Sequence, residues 1–358
     1  MSALLAVLRR PPALLRAGCR WASSGPALPP AIGCADLSGD RALVRVSGAD
    51  ASHFLHGITT NRMPEEDDDE GIYTAFLTAK GRVLYDTFVY PAHTNAAWAT
   101  EHGEEPAYLV DCARSRLGEL LTHLRRHKLR SKVKFGEVAD WQVWTCWDAG
   151  STEAGTPLAK PPALLGLADN RVPGLGLRVV VPAAAPLSVQ APGLTEVPAA
   201  SYALRRILHG VPEGEPDITV GGSLPMEVCL DHMGAIDFDK GCYLGQELTI
   251  RTKHRGVVRK RLVPVELHAL DAAATGTYDA GFDAGAPPPL VALHRADGTG
   301  GGRRGAGVGE LHTVVGNVGL AVVRLEHADA PLVARWDGPD GPRAVGVAAS
   351  VPGWWPEE

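Results

Sequence analysis

At 358 residues, with 45% hydrophobic and 21% charged side chains, the chain is long for a single core, so two or three domains are predicted, or one domain with an appended barrel. A net charge of −6 argues against a dedicated nucleic-acid binder, whose footprint is a strongly basic domain. Cys19, Cys34, Cys112, Cys146, Cys229 and Cys242 show no Cys-x-x-Cys pair and no Cys–His zinc spacing, and no apolar run reaches the length of a membrane span, so reduced thiols in a soluble mature protein are expected.

Residues 1–30 carry Arg9, Arg10, Arg16 and Arg20 among leucine and alanine, with no acid before Asp36, which is the composition of a mitochondrial transit peptide and predicts a matrix location. A secretory signal is the alternative, and the later arginines weigh against it. The apolar run Ser2–Leu8 is too short to span a bilayer.

Leu43–Val46 alternates as a strand and is followed by a helix over Ala51–Gly57, with Asp50 as its expected cap and Gly57 as its stop. Glu65–Glu70 is a run of acids without the alternating spacing of a calcium loop, so it reads as a solvated tip. Ile72–Leu77 and Val83–Tyr90 form a predicted hairpin through Thr78-Ala79-Lys80-Gly81-Arg82. Period-two alternation sets Asp86 in an apolar row with Leu84 and Phe88, and a carboxylate there must find a partner or shift its pKa: it is either a structural acceptor or a site residue.

Asp111 is placed as the cap of a helix whose Leu117, Leu120, Leu121 and Leu124 make one stripe. The segment from Arg114 to Lys134 is basic, with Arg125, Arg126, Lys128, Arg130 and Lys132 at its exit, and reads as a solvated face or an attractor of an anionic ligand or acidic partner. Lys132–Val138, Trp141–Cys146 and Leu175–Val181 are further predicted strands. The Pro- and Ala-rich tracts 150–162 and 181–200 are predicted loops. Tyr202–His209 is a predicted helix ended by Gly210.

The stretch Lys240-Gly241-Cys242-Tyr243-Leu244-Gly245-Gln246-Glu247 is not core patterning. Gly241 suggests a backbone position that a side chain would obstruct, and Leu244–Thr252 reads as a helix with Cys242 at or just before its start, where amide dipoles and Lys240 favour a thiolate. The competing reading is a buried cysteine acting as a small hydrophobe. Arg251 to Arg261 follows with six Lys/Arg and His254, a run that would hold an anion beside the thiol. Short strands at Leu262–Leu267, Val308–Leu311, Val318–Leu325, Leu332–Trp336 and Ala344–Ala349, separated by Gly-rich turns, predict a C-terminal β-barrel or sandwich. Gly305-Ala306-Gly307-Val308-Gly309 lacks the strand and helix of a dinucleotide loop.

Together, Val44–Asp50 with Phe54–Asn61, the turn Lys80–Asp86 and the octapeptide 240–247 resemble the folate-binding aminomethyltransferase-like family of the glycine-cleavage T-protein and YgfZ. The octapeptide, with the ending Ala348–Pro356 and the basic leader, is similar to its mitochondrial iron–sulfur assembly branch, the CAF17-like proteins. The resemblance implies an α+β fold, a three-lobed ring of T-protein type around a folate-sized channel, with two lobes over 31–260 and a β-barrel over 261–358. In the family's enzyme a strand aspartate is the acid–base residue and a helix glutamate grips the pterin; the matching positions here are Tyr85, with Asp86 as its neighbour, and Leu208.

The resemblance further implies a role late in [4Fe-4S] maturation with A-type carriers and [4Fe-4S] client proteins, including those that support heme biosynthesis. Cys242 would be a metal ligand in a transient cluster completed by a partner's thiols, since one cysteine cannot hold a cluster alone. Lys240, Gly241, Tyr243, Gly245, Gln246, Glu247, Arg251 and Asp86 complete the expected site. The other functions weighed are a tetrahydrofolate-dependent transferase using Asp86 and a thiol enzyme using Cys242 with His232 or His254 as base.

Overall fold

The computed structural model describes residues 22–23, 28–65, 67–148, 160–161, 163–187, 194–298 and 307–356. The transit peptide, apart from Ala22–Ser23 and its last three residues, lies outside the described residues, as do most of the 150–162 tract, the middle of the 181–200 tract and the first part of the 305–309 glycine run.

Strands β1 (Ala22–Ser23), β2 (Ile32–Asp36) and β3 (Arg41–Ser47) precede helix α1 (Ala51–Ile58). The hairpin β4 (Ile72–Leu77) and β5 (Val83–Pro91), helix α2 (Ala96–His102), β6 (Ala107–Ala113), α3 (Leu117–His127) and β7 (Lys134–Val138) complete an antiparallel five-stranded sheet ordered β4-β5-β6-β3-β7. Helices α1 and α3 pack on one face of it, burying Phe54, Leu55, Leu120 and Leu124 with Phe76, Tyr85 and Val89. The second sheet, β2-β8-β10-β9, adds β8 (Trp141–Asp148), β9 (Leu165–Ala168) and β10 (Leu177–Pro182).

Both faces of β8 are covered. Trp141, Val143 and Trp147 point to the central core and Trp144 and Cys146 to an outer cluster, as the two-residue period requires. The central core joins both sheets, helix α4 (Ala199–Leu208), the irregular segment after it and the outer face of a third body. That body is a closed six-stranded barrel, reached through α5 (Gln246–Arg255) and built of β11 (Lys260–His268), β13 (Val291–Arg295), β14 (Gly309–Val315), β15 (Val318–Arg324), β16 (Leu332–Gly338) and β17 (Gly341–Ala349), with β12 (Thr277–Tyr278) pairing β1 outside it. Val263, Val265 and Leu267 fill the barrel interior, while Leu262 turns out into the central core. Trp354 donates its indole N–H to the His209 carbonyl (2.8 Å), and Arg261 stands over the Trp355 ring, so the chain end clasps the barrel to α4.

Several local expectations are corrected. The Asp50 carboxylate caps no helix; it accepts from the Lys132 amide (2.6 Å), and α1 runs through Gly57 to a cap at Thr59. Asp111 lies inside β6, fully buried, and α3 begins after a 3₁₀ turn at Arg114–Arg116. Strands β1, β2, β6, β9, β12 and β13 and helix α2 are absent from the sequence expectation. The glycine run leads straight into barrel strand β14.

Candidate functional site

Residues 240–245 of the octapeptide form a loop ahead of α5, exposed at Gly241 and Cys242. The helix begins at Gln246, so Cys242 stands clear of the N-terminus expected over it, in non-helical chain. Gly245 caps the helix at φ 84°, and a Cβ there would lie 2.3 Å from the Thr78 carbonyl oxygen. Gly241 is different: a Cβ on it would meet nothing within 4 Å, so the obstruction predicted at Gly241 is found at Gly245. The Gln246 side chain accepts from the Tyr243 amide (3.2 Å) and folds the turn on itself. Tyr243 is buried, and burial raises its phenol to about 12. Glu247 and Arg251 project to solvent.

Lys240 turns inward. Its ammonium donates to the carbonyls of His56 (2.7 Å), Thr59 (2.9 Å) and Asn61 (2.6 Å), the orphan acceptors where α1 ends. All three of its donors are used there, so it anchors the loop; its expected service to the thiolate is not where its donors point. Burial pushes its pKa down to about 8, while the nearby Asp237 carboxylate favours the charged form. Asp237 accepts from the Asp239 and Lys240 amides (2.8 and 3.1 Å), and Leu244 donates to the Gly57 carbonyl (3.0 Å), so the loop is held from both ends.

Among the described cysteines, Cys34, Cys112, Cys146 and Cys229 are buried and Cys242 alone is exposed. Burial raises the first of these thiols to about 11 and the other three to about 12, which makes them poor ligands and nucleophiles. Among the described residues the close group of three potential metal ligands is Glu101, His102 and Asp140, on α2 and before β8, and Cys242 belongs to no such group. His232 lies against Trp355 at the barrel junction and Asp231, and His254 is exposed on α5.

Asp86 is in the central junction, not at the loop. Its Oδ1 accepts from the Gly214 amide (3.0 Å), Arg41 stands 3.9 Å from its Oδ2, and Oδ2 is buried without a hydrogen bond. Burial raises its pKa, against the pull of Arg41. Tyr85, one residue away, faces the opposite side of the sheet, edge-on to Phe76 and His123, because a single step along a strand changes face. Leu208 is packed at the end of α4 against the central core.

Around Asp86 runs a buried ionic network that sequence reading missed. Arg41 and Arg178 clamp Asp111 from two sides (2.6 and 2.7 Å), and Arg171 bridges Asp169 (2.7 Å) to Glu213 (2.8 Å). Glu213 also accepts from Arg178 (3.2 Å) and the Tyr202 hydroxyl (2.7 Å); burial opposes its charge, yet the surrounding arginines hold it well below the usual carboxylate range. Asp217 ties Arg206 to Thr313 of the barrel. A cavity of about 390 Å³ opens beside Arg41, Tyr202, Arg206 and Glu213. Asp111, Asp169 and Glu213 are thus already taken by guanidinium groups, which leaves the buried Asp86 Oδ2 as the one carboxylate oxygen of this network without a hydrogen bond, and a single such acceptor does not fit the N–H edge of a pterin. The signal available in sequence was a charge inside an apolar run, Asp111 after Tyr108-Leu109-Val110 and Arg178 before Val179-Val180-Val181.

Residues 259–357 match the family model described as the CAF17 C-terminal beta-barrel domain. A mitochondrial iron–sulfur cluster assembly factor IBA57 homolog from Neosartorya fischeri is 39% identical over 327 residues, covering 84% of this chain and 72% of its own length. Its counterpart from Aspergillus oryzae is 36% identical over 378 residues, covering 92% and 83%. The crystal structure of the glycine cleavage system aminomethyltransferase T from Bartonella henselae matches with a TM-score of 0.61 at 11% identity, over 89% of this chain and 85% of that one, a likeness of fold alone.

Proposed function

The chain belongs to the CAF17-like, aminomethyltransferase-fold family of mitochondrial iron–sulfur cluster assembly factors of IBA57 type, and we propose that it acts in the mitochondrial matrix, after loss of residues 1–30, late in the maturation of [4Fe-4S] clusters. Its partners are an A-type carrier, which brings the cluster, and the client proteins that receive it. The cluster is cargo, held in transit between the two chains.

The observation that carries this reading is that Cys242 is the exposed thiol among the described cysteines and belongs to no three-ligand group. A soft thiolate suits iron–sulfur chemistry, and a single thiolate leaves the remaining coordination to a second protein. Lys240 fixes the loop from behind, Gly245 lets it sit against the 78–82 turn, and Gly241 leaves room for another chain on the outer side. Glu247 and Arg251 are exposed on α5.

The test is the absorption spectrum of the protein mixed with a cluster-loaded A-type carrier. A visible charge-transfer band that co-elutes with both proteins and disappears with Cys242→Ser is expected; an unchanged band in the variant overturns the ligand assignment. The transferase reading is the weaker because the Glu213 oxygens are engaged by Arg171, Arg178 and Tyr202, and titration with tetrahydrofolate is expected to show no saturable binding.

A further inference from the structure

The end of α2 and the turn between β7 and β8 bring Glu101, His102 and Asp140 together, with one ligand atom of each within 4.8 Å of the other two. His102 Nε2 stands 3.5 Å from Asp140 Oδ2 and 3.9 Å from Glu101 Oε2. This nitrogen is buried, close to both carboxylates and hydrogen-bonded to neither. Among the described residues no lysine or arginine pairs with Glu101 or Asp140. Glu101 also sits in the last turn of a helix, where the backbone dipole disfavours an anion. Two carboxylate oxygens and an imidazole nitrogen therefore converge on a point that no Lys or Arg of the described chain neutralises.

The three groups are held from behind. The His102 ring stacks on Trp98, one helical turn earlier, with centroids 3.8 Å apart and 30° between the planes. Trp141 donates its indole N–H to Glu101 Oε2 (3.0 Å), and the Ala183 amide fixes the turn by donating to the Asp140 carbonyl (2.8 Å). Trp98 and Trp141 are buried and meet edge-on at 5.4 Å, so both supports belong to the central core. A fixed ring and a hydrogen-bonded carboxylate are what orient the ligands of a metal ion. The carboxylates themselves are open to solvent, Glu101 at 48% and Asp140 at 62%, which gives an ion its way in.

We propose that Glu101, His102 and Asp140 bind a divalent cation of the zinc class, with water in the remaining position. Imidazole nitrogen combined with carboxylate oxygen suits a borderline ion such as Zn²⁺, whereas a soft ion selects thiolate, which this group lacks. Tetrahedral zinc bonds of about 2.0–2.2 Å set neighbouring ligand atoms about 3.3–3.6 Å apart. The His102–Asp140 spacing already fits, and Glu101 closes by a few tenths of an ångström. The ion clips α2 to the turn through which the chain passes from the first sheet into the second. It is resident, separate from any cluster at Cys242, and independent of the assembly function proposed above.

The test is calorimetric titration of the chelator-treated full chain with Zn²⁺, with tryptophan fluorescence under Co²⁺ as a second readout. Wild type is expected to bind one equivalent of Zn²⁺ more than His102→Gln. Co²⁺, a paramagnetic quencher, is expected to dim Trp98 and Trp141 in wild type and not in that variant. Asp140→Asn, at an exposed turn position, is expected to weaken the same equivalent by at least about tenfold, since losing a ligand costs no less than losing an outer support. Its metal-free urea unfolding is expected to match wild type. Cys242→Ser is expected to retain the equivalent and the quenching. Equal Zn²⁺ binding by wild type and Asp140→Asn overturns the site, whatever His102→Gln does through its packing on Trp98. An equivalent that disappears with Cys242→Ser overturns it as well, because that ion belongs to the exposed thiol.

Discussion

Gly81 and Gly245 meet backbone to backbone: a Cβ on Gly81 would lie 2.9 Å from the Gly245 carbonyl oxygen, and a Cβ on Gly245 would lie 3.3 Å from the Gly81 Cα. Both residues have left-handed φ, 75° and 84°. The turn of the β4–β5 hairpin is thereby seated on the loop that presents Cys242. Gly245→Ala is expected to lower unfolding free energy by about 2–4 kcal/mol, from left-handed strain plus a clash with rigid backbone. Gly241→Ala is expected to stay within about 0.5 kcal/mol, the range of featureless surface changes. Urea unfolding of the two variants checks the contrast.

Lys240→Met keeps the length of the side chain and removes its three donors, leaving the carbonyls of His56, Thr59 and Asn61 without their partner. A loss of about 2–4 kcal/mol is expected, since hydrogen bonds from a charged donor are worth about 1.5–3 kcal/mol net and several acceptors are orphaned together. The loop's freedom is followed by proteolysis, which is expected to cut near Cys242 in the variant first.

Asp111 and Asp86 are both buried carboxylates, with opposite expected behaviour. Asp111→Asn removes the charge shared by Arg41 and Arg178 and is expected to cost about 3–5 kcal/mol, the effect of leaving buried charge unpaired. Asp86→Asn keeps the Oδ1 acceptor for Gly214 and replaces an oxygen that has no hydrogen-bond partner. Because burial raises the folded pKa of Asp86, its ionisation weakens the native state as pH rises, so the amide is expected to be neutral or stabilising near pH 7, within about 1 kcal/mol. Chemical denaturation at pH 7 tests both.

Acid destabilisation is expected to begin near pH 6.5. Burial lowers His123 to about 4 and His209 to about 3, so between those values and the ordinary histidine pKa the unfolded chain binds more protons and stability falls as pH falls. At pH 5 each contributes a loss of up to about 2 kcal/mol, from 1.36 kcal/mol per pKa unit. The His123 ring lies edge-on to Phe76 and Tyr85, and its Nε2 is buried without a hydrogen bond. His123→Leu is expected to flatten the stability profile between pH 6.5 and 4, as measured by unfolding across that range.

In the folded protein without residues 1–30, which carry Cys19, a thiol reagent is expected to react quickly with Cys242 and slowly with Cys34, Cys112, Cys146 and Cys229, and Cys242→Ser is expected to abolish the fast phase. Four fast thiols, or a fast phase that survives the substitution, would contradict the burial pattern.

Much of this was legible in order along the chain. Alternation located β3, β4, β5, β8, β10 and most of the barrel, because a strand with a buried face must repeat every two residues. The octapeptide identified the loop, since glycine, lysine and cysteine at that density serve neither a core stripe nor a turn. Short or weakly patterned strands such as β9 and β13 escaped, having too few residues to show a period.

What the sequence determined by itself was the kind of each element and the presence of one unusual cysteine. What only the tertiary structure decided was the meaning of individual polar residues. Asp111 looked like a helix cap because its neighbours in sequence were all that could be weighed; its partner Arg41 is 70 residues away and Arg178 is 67. Lys240 looked like a companion to the thiol and instead reaches across more than 170 residues to the end of α1. Gly241 and Gly245 were alike until the chain brought Thr78 against one of them. Backbone periodicity is a local property, whereas a buried charge or a close approach is defined by whatever the folded chain sets opposite it.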